Sequence, residues 1–224
     1  MRHVIRRWTA LPIFAIALAA GAIPAAAHPH VWIDMRSDIV FNDQGLVSAV
    51  NLMWTFDDAY AEMAMEGLDV NKDGVYDPSE LEPLTKENLD SLKDYDYFTY
   101  VRFDGRRQPV GLVTEAGQIY SNNKLQLHLQ VPLKTPLDPT KGEFVLKVYD
   151  PDFFIAFDYV KDEPVSVIGT MPKSCKLVVK PVPTDAELEQ TRTMLASKGK
   201  EWKPENDEDF GGLFAQPVTI QCKA

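Results

Sequence analysis

The pattern of apolar and polar positions changes period along the chain, and those changes mark out its elements. Residues 124–131 alternate: Leu125, Leu127, Leu129 and Val131 fall on one side, Gln126, His128 and Gln130 on the other. A period of two predicts a half-buried strand. Val31 to Phe41 and Leu46 to Phe56 are rich in β-branched and aromatic residues and flank the Asn42-Asp43-Gln44-Gly45 turn, so they predict a hairpin. Further strands are expected at 98–103 and 109–115, on either side of Asp104-Gly105-Arg106-Arg107, and at 144–149, 153–159, 165–168, 177–182 and 218–222.

After Phe56 the period becomes helical. Asp57 or Asp58 can cap a helix running to about Gly67, with Ala59, Met63 and Glu66 in helical spacing. Met63 and Met65 read as packing residues rather than copper ligands. Leu81, Leu84, Leu89 and Leu92 form an apolar stripe that predicts a second helix. Near the end of the chain, Thr184 with Glu187 makes a capping box for a helix to about Ser197, stopped by Gly199. Residues 200–212 are polar and acidic and read as a loop. The expected class is α+β: a mostly antiparallel β-sheet or sandwich with one inserted helix-loop-helix and one C-terminal helix.

The segment between the first two helices, 69–80, carries the pattern of a single EF-hand calcium loop. Asp69, Asn71 and Asp73 supply side-chain oxygens at positions one, three and five, and Gly74 stands where the loop must turn. Val75 offers its carbonyl, Asp77 reaches directly or through water, and Glu80 closes the site. Ca²⁺ requires six to eight oxygens, and every ligand position is filled. An acidic surface turn is the plainer reading. The loop occurs once, which favours a structural clip or contact surface over a paired sensor.

Composition adds a compartment. Arg2, Arg6 and Arg7 precede an apolar run from Leu11 to Ile23 and the small residues Ala25-Ala26-Ala27, so residues 1–27 read as a secretory signal cleaved before His28. Residues 28–224 then form a single exported α+β domain with the EF-hand-like insertion at about 58–93, and no later stretch could span a membrane. The formal net charge is −10, and losing three arginines and no acid takes it to −13. That balance disfavours nucleic acid and suits cations or simple solubility. Cys175 and Cys222, an even pair in an oxidising compartment, predict a disulfide.

Three histidines remain after cleavage: His28, His30 and His128. A new amino terminus at His28 would place an amine and two imidazoles close together, with His30 two residues on and Asp34 on the same face of an extended segment. Imidazole suits Zn²⁺, Ni²⁺, Co²⁺ and Cu²⁺. Pro29 lacks the amide that the square-planar amino-terminal copper chelate needs. His128, Asp150 or Asp152 could complete such a site. The plainer readings are an exposed terminus, a hydrogen-bonded surface histidine, and Asp150 and Asp57 as caps of turn and helix. No nucleophile elbow, Cys-x-x-Cys, His-Glu-x-x-His or phosphate-cradling glycine loop occurs, so no motif supports an enzyme.

His28-Pro29-His30-Val31-Trp32-Ile33-Asp34 after a signal segment, Trp54-Thr55-Phe56-Asp57, the acidic helical insertion, Tyr149-Asp150-Pro151-Asp152-Phe153-Phe154 and the two cysteines together resemble the bacterial domain-of-unknown-function family 1007. Members are often labelled as periplasmic components of an uncharacterised ABC-type transport system, and their genes often adjoin nickel/cobalt-type membrane transporters. The resemblance implies transition-metal handling in the periplasm; with the calcium loop read from the residues, the leading expectation is a periplasmic divalent-metal-handling protein, accessory to a nickel/cobalt/zinc-type membrane transporter, with one structural Ca²⁺ site. The alternative is a calcium-stabilised periplasmic interaction module without a transition-metal role. An amino-terminal-histidine copper oxidase is a third class; it would need His28 first in the chain and His128 as the distant ligand.

Overall fold

The computed structural model describes residues 30–184, 186, 188–189, 193–194, 197 and 211–223. The expected leader, His28, most of the expected 184–197 helix and the expected loop up to residue 210 lie outside the described residues.

β1 (Val31–Phe41) and β2 (Val47–Phe56) form the predicted hairpin. Asn42 sets its turn by accepting from the Gln44 and Leu46 amides, and Gly45 supplies the left-handed residue at φ +73°. Along β1 the odd positions Val31, Ile33, Met35, Ser37 and Ile39 are buried, while Trp32, Asp34, Arg36 and Asp38 take the other face.

α1 (Asp58–Met65) and α2 (Pro78–Leu92) follow on either side of the acidic loop. Asp57 caps α1 by accepting from Tyr60. Asp77 and Glu80 form a capping box at the start of α2, with Pro78 in its first turn. The strand expected from Phe98 is delayed. Lys93–Phe98 makes a tight 3-10 segment in which Asp96, Tyr97 and Phe98 have φ near +50°. Left-handed backbone at such residues costs about 1–2 kcal/mol each, and burial of Tyr97 and Phe98 opposes it.

The remaining strands are β3 (Thr99–Phe103), β4 (Arg106–Gln108), β5 (Ala116–Ser121), β6 (Lys124–Leu137), β7 (Phe144–Val148), β8 (Ile155–Tyr159), β9 (Val165–Ile168), β10 (Cys175–Val179) and β11 (Val218–Cys222). The first sheet runs β5-β6-β2-β1-β8, with β9 also paired to β1; the second runs β10-β11-β7-β3-β4. Pairing is antiparallel throughout except that β8 and β9 run parallel to β1. Pro164, which has no N–H, lies just ahead of β9. Its carbonyl accepts from Ser37, and Arg36 donates to the carbonyls of Asp162 and Glu163 in the same break. The chain is therefore α+β and mostly antiparallel. One apolar cluster joins the inner residues of both sheets with Ala61 and Met65 of α1 and Leu81 of α2.

Two expectations need correction. Residues 109–115 are not a strand; β4 lies before them and β5 after. β5 escaped the pattern because its core-facing residue, Gln118, is polar; its Oε1 accepts from the Thr85 hydroxyl of α2 at 3.2 Å. The loop expected over 200–212 ends early, because Gly211 and Gly212 open a short α3 (Gly211–Phe214).

Cys175 and Cys222 face each other across β10 and β11 and are bonded, 47 residues apart in sequence. Chain entropy assigns a loop of that length about 4 kcal/mol. The double serine variant should therefore melt well below the parent, and peptide mapping without reductant should recover the linked pair; two free thiols in the native protein would contradict the pairing.

Candidate cation sites

The acidic loop turns its side-chain oxygens inward onto its own backbone. Asp69 accepts from the amides of Asp73 at 3.1 Å and Gly74 at 3.0 Å. Asn71 accepts from the same Asp73 amide at 2.9 Å, and Asp73 accepts from Val75 at 2.8 Å. Glu80 reaches back ten residues to the Val70 amide at 2.9 Å. Gly74 has φ +78°, the left-handed conformation expected at the sixth loop position. Asp69, Asn71, Asp73 and Glu80 are thus gathered in one loop. Asp77 is divided: its Oδ1 takes the Ser79 amide and hydroxyl and the Glu80 amide. Its carboxyl lies below the usual range, chiefly because the Ser79 hydroxyl and amide favour the ionised form. Tyr76, inside the loop, stacks edge-on against Tyr120 of β5 at 5.1 Å and ties the loop to the sheet. Its tie to β5 was not legible, because an aromatic at a non-ligand position carries no pattern.

The proposed amino-terminal ligands are dispersed. The His30 amide donates to the Phe154 carbonyl at 2.8 Å, and the two rings lie 4.7 Å apart. That contact brings the 150–154 turn, with exposed Asp152, beside His30. Asp34 is four residues along β1, about 13 Å away at strand spacing. His128 pairs in register with Met53 of β2, which pairs with Arg36 of β1. It is two strands over and about 20 Å along from His30, so the two imidazoles cannot share an ion. The distance also removes the distant ligand that the copper-oxidase class required.

Asp150 is buried and accepts from the amides of Asp152, Phe154 and Ile155, so it is the cap of this turn. Asp57 caps α1 and also accepts from the Trp32 amide at 2.8 Å, while its own amide donates to the Trp32 carbonyl. Burial pushes its carboxyl up, but amide hydrogen bonds from Trp32, Tyr60, Ala59 and its own backbone outweigh that and hold it low. Among the described residues no group of three or more His, Cys, Asp or Glu side chains is arranged about a common point. Among the same residues no helix is long and apolar enough to cross a membrane.

His128 is neither a ligand beside His30 nor a fully solvated surface histidine. It is half-buried in an open depression of about 390 Å³ that Arg36, Met53 and Gly117 also line, and its Nε2 has no hydrogen-bond partner among the described residues.

The chain matches the family described as "Protein of unknown function (DUF1007)" over residues 13–222, and it belongs to that family. It is 26% identical over 208 residues to a protein of Haemophilus influenzae described as uncharacterized, covering 88% of this chain and 92% of that one. It is 31% identical over 99 residues to an uncharacterized 15.5 kDa protein in the trpE 3' region of Spirochaeta aurantia, covering 44% of this chain and 70% of that one.

Burial lowers the pKa of His128 from 6.5, so the folded chain resists a proton that the unfolded chain accepts. The contribution is fully present above about pH 7 and is lost as pH falls through 6.5 toward the lower folded value. Thermal melting between pH 7.5 and 5 should therefore decline, and His128→Gln should flatten the decline. The lowered carboxylates Asp57, Asp77 and Asp138 act only at more acid pH. A parent and variant with parallel profiles would place the effect elsewhere.

Proposed function

We propose that the chain is a periplasmic divalent-cation-handling protein, exported by cleavage of residues 1–27. One Ca²⁺ in the 69–80 loop would fasten the helical insertion to the sheet. The His28–His30 segment would carry a transition-metal ion for a nickel/cobalt/zinc-type membrane transporter. The observation that supports the calcium reading is that Asp69, Asn71, Asp73 and Glu80 all turn side-chain oxygens onto backbone amides of the same short loop, which bends at a left-handed Gly74. Those oxygens now serve amides, and an ion would compete for them. The Val75 carbonyl and the second carboxylate oxygen of Asp77 complete the donor set, an all-oxygen set that suits a hard cation. The transition-metal reading is supported by the position of His30 beside the 150–154 turn, where Asp152 is the exposed carboxylate.

The second reading, a calcium-stabilised interaction module with no transition-metal role, is favoured by the separation of Asp34 and His128 from His30. The two readings share the calcium site and differ at His28 and His30.

At 10 mM Ca²⁺, a Kd of about 10⁻⁴–10⁻³ M gives about 1.4–2.7 kcal/mol of stabilisation. For a domain of this size that raises Tm by about 3–10 °C over chelator. Asp73→Ala should abolish the difference without touching the cap of α2; Glu80→Ala is less clean because it also removes the capping box. Equal melting with Ca²⁺ and chelator would end the calcium reading.

For the exported protein, calorimetry with Zn²⁺, Ni²⁺, Co²⁺ and Cu²⁺ should show one site, weaker as pH drops through about 6.5, because imidazole must be neutral to coordinate. The His28→Ala/His30→Ala variant should lose that site and keep its calcium-dependent melting. A parent that binds none of these ions would leave the interaction module.

A further inference from the structure

α1 and the tip of the β5–β6 hairpin leave an open groove of about 1100 Å³ between them. Glu62, Met63, Met65 and Glu66 line it from α1; Tyr76, Tyr120 and Lys124 line it from the acidic loop and the hairpin. Met65 is buried, whereas Met63, expected from the sequence to pack, is 66% exposed. Tyr76 and Tyr120 are half-buried and held edge-on against each other.

The charges on α1 work against the helix. Glu62 and Glu66 stand one turn apart, about 6 Å along the axis, at its C-terminal end. The last turn carries no basic residue, so both carboxylates meet the negative end of the helix dipole and repel each other. Both are exposed, and neither has an ion-pair partner among the described residues. Lys124, the one cation lining the groove among those residues, is taken by Asp58 at 2.6 Å. Charges that cost local stability with no partner in their own fold mark functional surfaces.

The same features oppose other occupants. No third His, Cys, Asp or Glu is gathered with Glu62 and Glu66 among the described residues, so a metal ion lacks a coordination shell. The groove is too large and open to enclose a small molecule as a ligand pocket does. Nucleic acid, anionic lipid and a second copy of this chain, whose net charge is −10, all bring like charge.

We propose that this groove docks a basic amphipathic helix of a partner protein. Lys or Arg side chains four residues apart on that helix pair with Glu62 and Glu66, and its apolar stripe lies over Met63, Tyr76 and Tyr120. Helix-in-groove binding presents apolar anchors at this spacing, and an exposed methionine adapts to their shape. Docking also removes the repulsion at the end of α1. The surface needs neither cation site to be filled.

The probe is a fluorescein-labelled peptide of about five helical turns, with Leu on one face and Lys beside it at four-residue spacing. A second peptide carries Glu in place of each Lys, and a third scrambles the order of the Lys peptide. Anisotropy titrations use the exported protein in chelator at about 0.15 M salt, where charges beyond about 8 Å are screened. The Lys peptide should bind saturably at one site and more tightly than the other two. Glu62→Gln/Glu66→Gln should weaken it about tenfold, the combined effect of two exposed ion pairs, and should melt no lower than the parent. Glu82→Gln/Glu87→Gln removes the same charge from exposed positions of α2 and should leave binding unchanged. Should the first double variant melt lower, Met63→Ser, at an exposed side chain, carries the test and should also weaken the Lys peptide. Equal losses in the two double variants would reveal attraction to the acidic chain as a whole and overturn the proposal. Equal affinity for the Lys and scrambled peptides, no saturable binding, or a parent that dimerises through Glu62 and Glu66 in sedimentation would overturn it too.

Discussion

β1 is hydrogen-bonded along both edges, and the rest of the first sheet is arranged around that constraint. β2 occupies one edge over nearly its whole length; β8 and then β9 occupy the other. A strand held on both sides cannot slip by one residue without turning every core side chain outward. Its odd positions therefore stay in the core, and its even ones present Trp32, Asp34, Arg36 and Asp38 on the opposite face. The amino-terminal end of this strand also collects two remote segments: the 150–154 turn through His30 and the start of α1 through Trp32 and Asp57.

Most carboxylates with assigned partners in this acidic chain serve backbone amides. Asp57 and Asp77 cap helices, Asp150 ties a turn, Asp104 accepts from Glu143, and Asp138 accepts from Thr140. The oxygens of the 69–80 loop do the same. A cation entering that loop would exchange one set of positive partners for another, so its energetic gain would be smaller than the ligand count alone implies. Exposed ion pairs, such as Lys124 with Asp58, add little because water screens them.

Much of the fold was legible because its signals are local. The alternation through Leu125, Leu127, Leu129 and Val131 identified β6, and the Asn42–Gly45 turn identified the hairpin. Asp57 as a helix cap and the stripe from Leu81 to Leu92 located both inserted helices. What could not be read depended on distant partners. Gln118 gives β5 a polar core position that only Thr85 of another element explains. The parallel addition of β8 and β9 to β1 has no mark in either segment. The candidate cation sites divide in the same way: the loop is a contiguous motif, whereas the separation of His128 from His30 follows from strand register.

The last strand has a further consequence. β11 sits between β10 and β7, so Val218–Cys222, which follow the other strands of that sheet in sequence, form an interior member of it. Until those five residues arrive, β7 and β10 expose open edges able to pair with another chain. The second sheet is therefore completed only by a segment 39 residues beyond β10, and a chain cut before residue 218 would keep both of those edges unpaired.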